Sequence, residues 1–200
     1  MILRRRRRRK SLAARLLLAT VFLIIIGLIG TVFMVNRYYP LRYVDIVHEK
    51  AEKFDLEPSL VFAVIHAESG FNSSAVSRAG ASGLMQIIES TAYWLAPQIP
   101  LEDFDYAAQI FDPATNIHIG TFYLRMQYDR FGSMDVALAA YNAGSGNVSN
   151  WLNDPEYSRD GQTLDYIPFT ETRNYVERVA TNQRRYEMIL RFEWLFSRLP

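Results

Sequence analysis

The chain is 200 residues long, with 22 Lys and Arg against 21 Asp and Glu, 50% hydrophobic residues, 14% aromatics and no cysteine. That composition excludes a disordered chain, a disulfide scaffold and a thiolate metal site. Charge is unevenly placed: residues 1–15 hold seven arginines, one lysine and no acid, so the remainder carries 14 basic against 21 acidic residues, a net of −7. A segment that acidic offers no general electrostatic surface to nucleic acid, and roughly 165 residues bury one core but seldom two.

Leu16–Val35 (LLLATVFLIIIGLIGTVFMV) carries no charge over 20 residues, and as a helix it spans about 30 Å, the hydrocarbon thickness of a bilayer. A buried core helix would be shorter and carry a polar stripe. A cleaved signal peptide would end in small residues, which Val35-Asn36-Arg37-Tyr38-Tyr39 does not offer. An uncleaved single-pass anchor in the cytoplasmic membrane is therefore expected. The basic run Arg4–Lys10 flanks only one end of it, and Lys/Arg-rich flanks stay cytoplasmic, while Tyr38 and Tyr39 suit the opposite interface. An arginine hexamer taken alone could be a nucleic-acid arm, but its place beside a spanning segment makes topology its role. The expected organisation is a basic cytoplasmic tail (1–15), the anchor (16–35), a linker (36–42) and one extracytoplasmic domain (43–200).

Within that domain Val44, Val47, Ala51 and Phe54 recur at helical spacing with Lys and Glu between them, which predicts an amphipathic helix. Pro58 suits the first turn of a second helix running through Glu68. Asp112-Pro113 reads as N-cap and first residue of a longer helix with Ile117, Leu124, Tyr128 and Phe131 inward. Ser133 is placed to cap Met134–Tyr141, and Thr170 to cap a last helix built on Tyr175, Val179 and Tyr186. No stretch of comparable length alternates with period two, so the fold class is all-α, with two loops of small residues at Ser69–Ser82 and Ala143–Ser149.

Glu68 is the carboxylate that physical chemistry singles out. Val61, Val64, Ile65 and Glu68 share one helix face, so the carboxyl leaves an aliphatic surface just as the helix ends at Ser69-Gly70. A carboxyl sheltered that way has its charged form disfavoured and stays protonated near neutrality, as a general acid must. The bland reading, an exposed glutamate at a helix C-terminus that the dipole disfavours, stands beside it. Gly70, Gly80 and Gly83 with Ala75, Ala79 and Ala81 let backbone approach a bound molecule. Neither Gly80-Ala81-Ser82-Gly83 nor Gly144-Ser145-Gly146 has the context of a nucleotide loop, and His48, His66 and His118 lack metal-ligand spacing. No metal or organic cofactor is expected.

Glu68-Ser69-Gly70-Phe71-Asn72, Ala75-Val76-Ser77, Gly80-Ala81, Gly83-Leu84-Met85-Gln86-Ile87 and Thr91-Ala92 resemble the catalytic region of lytic transglycosylases, glycoside hydrolases of family 23 with a goose-type lysozyme fold. The resemblance continues through Asp112-Pro113, Asn116-Ile117 and Gly120 to Ala139-Ala140-Tyr141-Asn142-Ala143-Gly144 and Ile167-Pro168-Phe169 with Glu171-Thr172-Arg173-Asn174-Tyr175-Val176. It covers roughly Tyr43 to Tyr186, in several ordered motifs at compatible spacing.

The resemblance implies a lysozyme-like helical fold and cleavage of the β-1,4 bond between N-acetylmuramic acid and N-acetylglucosamine in peptidoglycan, ending in a 1,6-anhydro sugar. It makes Glu68 the catalytic acid and base, and Ser77, Met85, Gln86, Tyr141, Asn142 and Glu171 the substrate-side residues. Ordinary glycosidases need a second carboxylate, and after Glu68 the next acid is Glu89; an acceptor within the substrate removes that need. Peptidoglycan glycan strands are the expected partner, with no nucleic acid and no protein partner named by the sequence. A hydrolytic muramidase of the same fold and a noncatalytic wall-binding scaffold are the alternatives. One departure stands out: the family often continues its Gln motif with Met-Pro, where this chain has Ile88-Glu89.

Overall fold

The computed structural model describes residues 2–101 and 103–196 and divides into two compact units, Met1–Leu41 and Arg42–Pro200. The first is a single helix, α1 (Ile2–Tyr38). Within it Leu17–Tyr38, which contains an 18-residue stretch of mean hydropathy 2.7 with none of it buried by protein, is long and apolar enough to cross a membrane. The apolar helix runs past the expected end at Val35.

The second unit is helical. Among the described residues it has no strand, only isolated bridges pairing Val76 with Ser82 and Ser82 with Ile87. The helices are α2 (Val44–Lys53), α3 (Pro58–Ser69), α4 (Glu89–Leu95), the short α5 (Tyr106–Gln109), α6 (Pro113–Phe131), α7 (Met134–Ala143), α8 (Ser145–Leu152) and α9 (Thr170–Phe196). The all-α expectation and the five expected helices, α2, α3, α6, α7 and α9, agree with this order.

α3 is the centre. Pro58 sits in its first turn and Gly70 closes it in the left-handed conformation at φ +58°. Every residue from Ser59 to Ile65 is buried. The face expected at 61, 64, 65 and 68 thus understates the helix, which is enclosed on all sides by α2, α9 and the loop after it. Burial of each such aliphatic or aromatic side chain stabilises the fold by about 1.5–3 kcal/mol. α9 lies along α3, with Tyr186 stacked on Phe62 at 5.4 Å between ring centroids. α6 packs on α2 and α7. Its N-cap is Asp112, whose carboxylate accepts from the Thr115 amide at 2.8 Å, as the sequence predicts.

Three local expectations change. Ala143–Ser149, read as a loop for its small residues, becomes the end of α7 and most of α8, because Val148 and Trp151 supply a buried face. Thr170 is already the first residue of α9 rather than a cap before it, and its hydroxyl accepts from Arg173. Tyr128 and Phe131 of α6 are only half-buried.

Candidate active site

Glu68 lies in the last turn of α3, two residues before the left-handed Gly70. Burial pushes its carboxyl up to about 7 from an ordinary 4.5; the Tyr175 hydroxyl and then the Arg178 guanidinium pull it back, and Glu171 adds to the rise. Desolvation is the dominant cause, so the sheltered general acid is the reading of Glu68 that the environment supports. The Tyr175 hydroxyl is itself buried with no hydrogen bond closed in this conformation, yet it acts on Glu68.

The floor beside Glu68 is the irregular segment 82–87, bolted to three helices. Ser69 donates to the Leu84 carbonyl at 2.8 Å. Asn116 of α6 accepts from the Met85 amide at 2.7 Å through Oδ1 and donates through Nδ2 to the Ser82 and Ile110 carbonyls at 3.0 and 2.9 Å. Tyr141 of α7 donates to the Met85 carbonyl at 2.8 Å. Such approach demands two glycines. A Cβ on Gly83, which has φ +82°, would lie 2.2 Å from Asn116 Nδ2, and one on Gly120 would lie 2.5 Å from Met85 Sδ. These contacts give Gly83 and Gly120 a physical reason to lack side chains.

The residues expected on the substrate side separate. Tyr141 has its ring 5.0 Å from that of Tyr123 and its hydroxyl pKa raised well above 10, first by burial and then by the charge of Glu68. Gln86 sits at φ +50°, a left-handed conformation uncommon for a side-chain-bearing residue, and its Nε2 donates to Ala75 and Gly83 carbonyls at 3.2 and 2.8 Å. That commits its NH₂ to the loop and turns Oε1 into the end available to a ligand. Met85 is fully buried, packed on Gly120 and Thr121, so its side chain is structural and only its backbone belongs to the floor. Ser77 is exposed and accepts from the Ala81 amide at 3.0 Å, holding the turn.

Asn142 and Glu171 belong to a neighbouring hollow of about 560 Å³, shared with Ala143, Pro168, Phe169, Thr170 and Thr172. Thr172 donates to Asn142 Oδ1 at 2.8 Å and so ties α9 to the end of α7. Glu171 is exposed in the first turn of α9, where the helix dipole favours it. The departure at Ile88-Glu89 is benign in backbone: Ile88 is the extended N-cap of α4 and Glu89 occupies its first turn. Ile88 is 44% exposed.

Tyr175, Asn116 and Arg178 carry parts of this site that the sequence alone did not assign. Tyr175 fits the buried face of α9 and reads there as a core residue. The signal for Asn116 was a polar residue one turn after the Asp112 cap, on a helix whose next positions include Ile117 and Ile119. His118 stays away from the chemistry: it is packed against Phe54 at 5.2 Å and burial pushes its pKa down to about 4. Among the described residues no cluster of His, Asp and Glu is arranged to hold a metal ion.

Stacked helices around one enclosed helix, with a sheltered glutamic acid at its end over a rigid loop, make a lysozyme-like domain. The profile of the transglycosylase SLT domain matches residues 45–163, and the chain belongs to that family. It is 38% identical over 150 residues to the soluble lytic murein transglycosylase of Salmonella typhimurium and 36% over 154 residues to that of Escherichia coli K12. Those alignments cover 74% and 76% of this chain but 23% and 24% of the relatives, so the chain spans about a quarter of their length. In three dimensions it superposes on an inactive glutamate-to-glutamine mutant of the lytic transglycosylase Slt of Pseudomonas aeruginosa with a TM-score of 0.68 and 33% identity, covering 78% of this chain and 26% of that one. A 70-kDa soluble lytic transglycosylase in complex with bulgecin A gives 0.69 and 32%, with 78% and 26% covered.

Proposed function

We propose that this domain is a peptidoglycan lytic transglycosylase that cleaves the β-1,4 bond from N-acetylmuramic acid to N-acetylglucosamine with Glu68 as both acid and base. The observation that carries the reading is the Glu68 carboxyl, sheltered at the end of α3 and raised to about 7. Protonated, it gives its proton to the glycosidic oxygen as the C1–O4 bond breaks. Left as a carboxylate, it takes the proton of the muramic acid's C6 hydroxyl while that oxygen bonds to C1. Both protons and the bond count balance, and no water is consumed. An acceptor already in the substrate is worth a high effective concentration. The relatives named as lytic murein transglycosylases, and the inactivity of the Pseudomonas enzyme with a glutamate changed to glutamine, support the assignment.

Around this centre Gln86 Oε1 and Ser77 offer polar contacts to sugar acetamido groups, Tyr141 and Tyr175 tune the carboxyl, and Asn142 and Glu171 hold the glycan further along. Met85 contributes backbone alone. We propose further that Leu17–Tyr38 anchors the chain in the cytoplasmic membrane with the basic tail inside and residues 43–200 facing the wall; the length and apolar character of that helix and the one-sided basic run support this reading.

Glu171 gives the hydrolytic muramidase its foothold, because it is an acid whose charge reaches Glu68, as a water-activating partner would. Mass analysis of products from peptidoglycan sacculi separates the two. The transglycosylase yields sugars one water lighter than hydrolysis does, and Glu171→Gln keeps making them. Reducing ends from the wild type, lost in Glu171→Gln, would make the domain a lysozyme instead.

A further inference from the structure

Tyr186 is the last buried residue of α9; from Glu187 to Leu195 the helix carries no buried residue. Along that stretch Met188 is 57% exposed, Phe192 61% and Leu195 47%. Their spacing of four and then three places them on one stripe, within about 60° of each other at 100° per residue. Arg184, Arg185 and Arg191 fall within about 70° of the centre of that stripe, whereas Glu187 and Glu193 lie more than about 100° away. An apolar stripe bordered by arginines, with the acids turned off it, is the pattern of a helix that lies in a lipid interface.

The occupant follows from what else the chain carries. Five residues, 39–43, separate the last residue of the apolar helix α1 from the first of α2, and extended they let those two residues lie at most about 20–22 Å apart. A domain on so short a tether stays close to any bilayer that α1 spans, and the arginine border complements anionic headgroups, each basic residue near such a surface contributing about 1 kcal/mol. We infer that the end of α9, through Met188, Phe192 and Leu195, is a second membrane contact that rests on the outer face of the bilayer crossed by α1. The inference rests on the proposed anchoring. It adds orientation, because a domain held by a single tether tumbles, whereas one held at α1 and at α9 presents its cleft at a fixed height and angle to the wall.

The absence of native cysteine makes the test clean. The full chain is reconstituted at one copy per nanodisc in phosphatidylcholine with roughly a quarter phosphatidylglycerol. A nitrobenzoxadiazole probe is attached at Met188→Cys or Phe192→Cys, with Asn150→Cys, an exposed position on α8, as the reference, and doxyl-labelled lipid is then added. Quenching of roughly twofold or more at 188 and 192, with little change at 150, is expected. Placing Glu at both 188 and 192 and moving the probe to Leu195→Cys should abolish it. Chains recovered in discs whose probes at 188 and 192 are unquenched, whether in water or blue-shifted against protein, would overturn the inference while leaving the anchor intact. Chains that do not partition into discs at all would overturn the anchoring on which it stands.

Discussion

Glu68→Gln should stop glycan cleavage and, at neutral pH, make the domain more stable. In the unfolded chain the carboxyl loses its proton near 4.5; in the folded chain it holds it to about 7. Below pH 4.5 both states are protonated and the wild type and the variant are alike. As pH rises from 4.5 to 7 only the unfolded state ionises, so wild-type stability falls, and above 7 the loss levels off. The difference of about 2.5 between the two pKa values, at about 1.4 kcal/mol per unit, makes that loss about 3 kcal/mol at pH 7.5 and less than about 1 at pH 5. A glutamine keeps the shape without the charge and escapes it. For a domain of this size about 3 kcal/mol corresponds to roughly 6–12 °C in Tm.

Thermal and urea unfolding of residues 40–200 at pH 4.5, 6 and 7.5 follow the stability, and counting anhydro-muropeptides follows the activity. Loss of general acid–base help costs about 10²–10⁴-fold, and here one group does both tasks, so the upper end applies. Wild-type turnover should fall about tenfold per pH unit above 7 as the acid ionises. Parallel stability curves for wild type and Glu68→Gln across this range would refute the sheltered carboxyl. Substantial anhydro product from the variant would move the acid role elsewhere.

Tyr141→Phe removes the donor to the buried Met85 carbonyl and should destabilise by about 1–3 kcal/mol while lowering kcat; wild-type unfolding midpoint and kinetics together would remove Tyr141 from the site. Gly83→Ala brings a Cβ to 2.8 Å from the Ile110 carbonyl at a φ of +82°, so a loss of about 2 kcal/mol or more in urea unfolding is expected, and an unchanged midpoint would contradict the packing of this loop. Tyr175→Phe deletes the donor that holds the Glu68 pKa down, so the alkaline limb of the pH–rate profile should move upward; a limb that stays or moves down would mean that the phenol does not act on the carboxyl.

Much of the architecture was legible in one dimension because its signals are local. A charge-free run of membrane length, the Asp112-Pro113 start of α6 and the 3.6-residue periodicity of α2 and α9 depend only on neighbours in sequence, and the ordered Glu68, Gln86 and Tyr141 motifs were enough to suggest the family. What sequence could not decide is what depends on enclosure. Ala143–Ser149 looked like a loop because small residues have weak intrinsic preference, and it became helix only when Val148 and Trp151 found a surface to cover. Met85 sits inside a motif of the resemblance, yet its side chain faces Gly120 in the core. Glu68 could be read either as a sheltered acid or as an exposed helix end, since α3 alone does not say what lies over it. The segment 82–87, Tyr141 and Tyr175 close on it from parts of the chain up to about a hundred residues away, and desolvation, which raises its pKa, is a property of that three-dimensional shell.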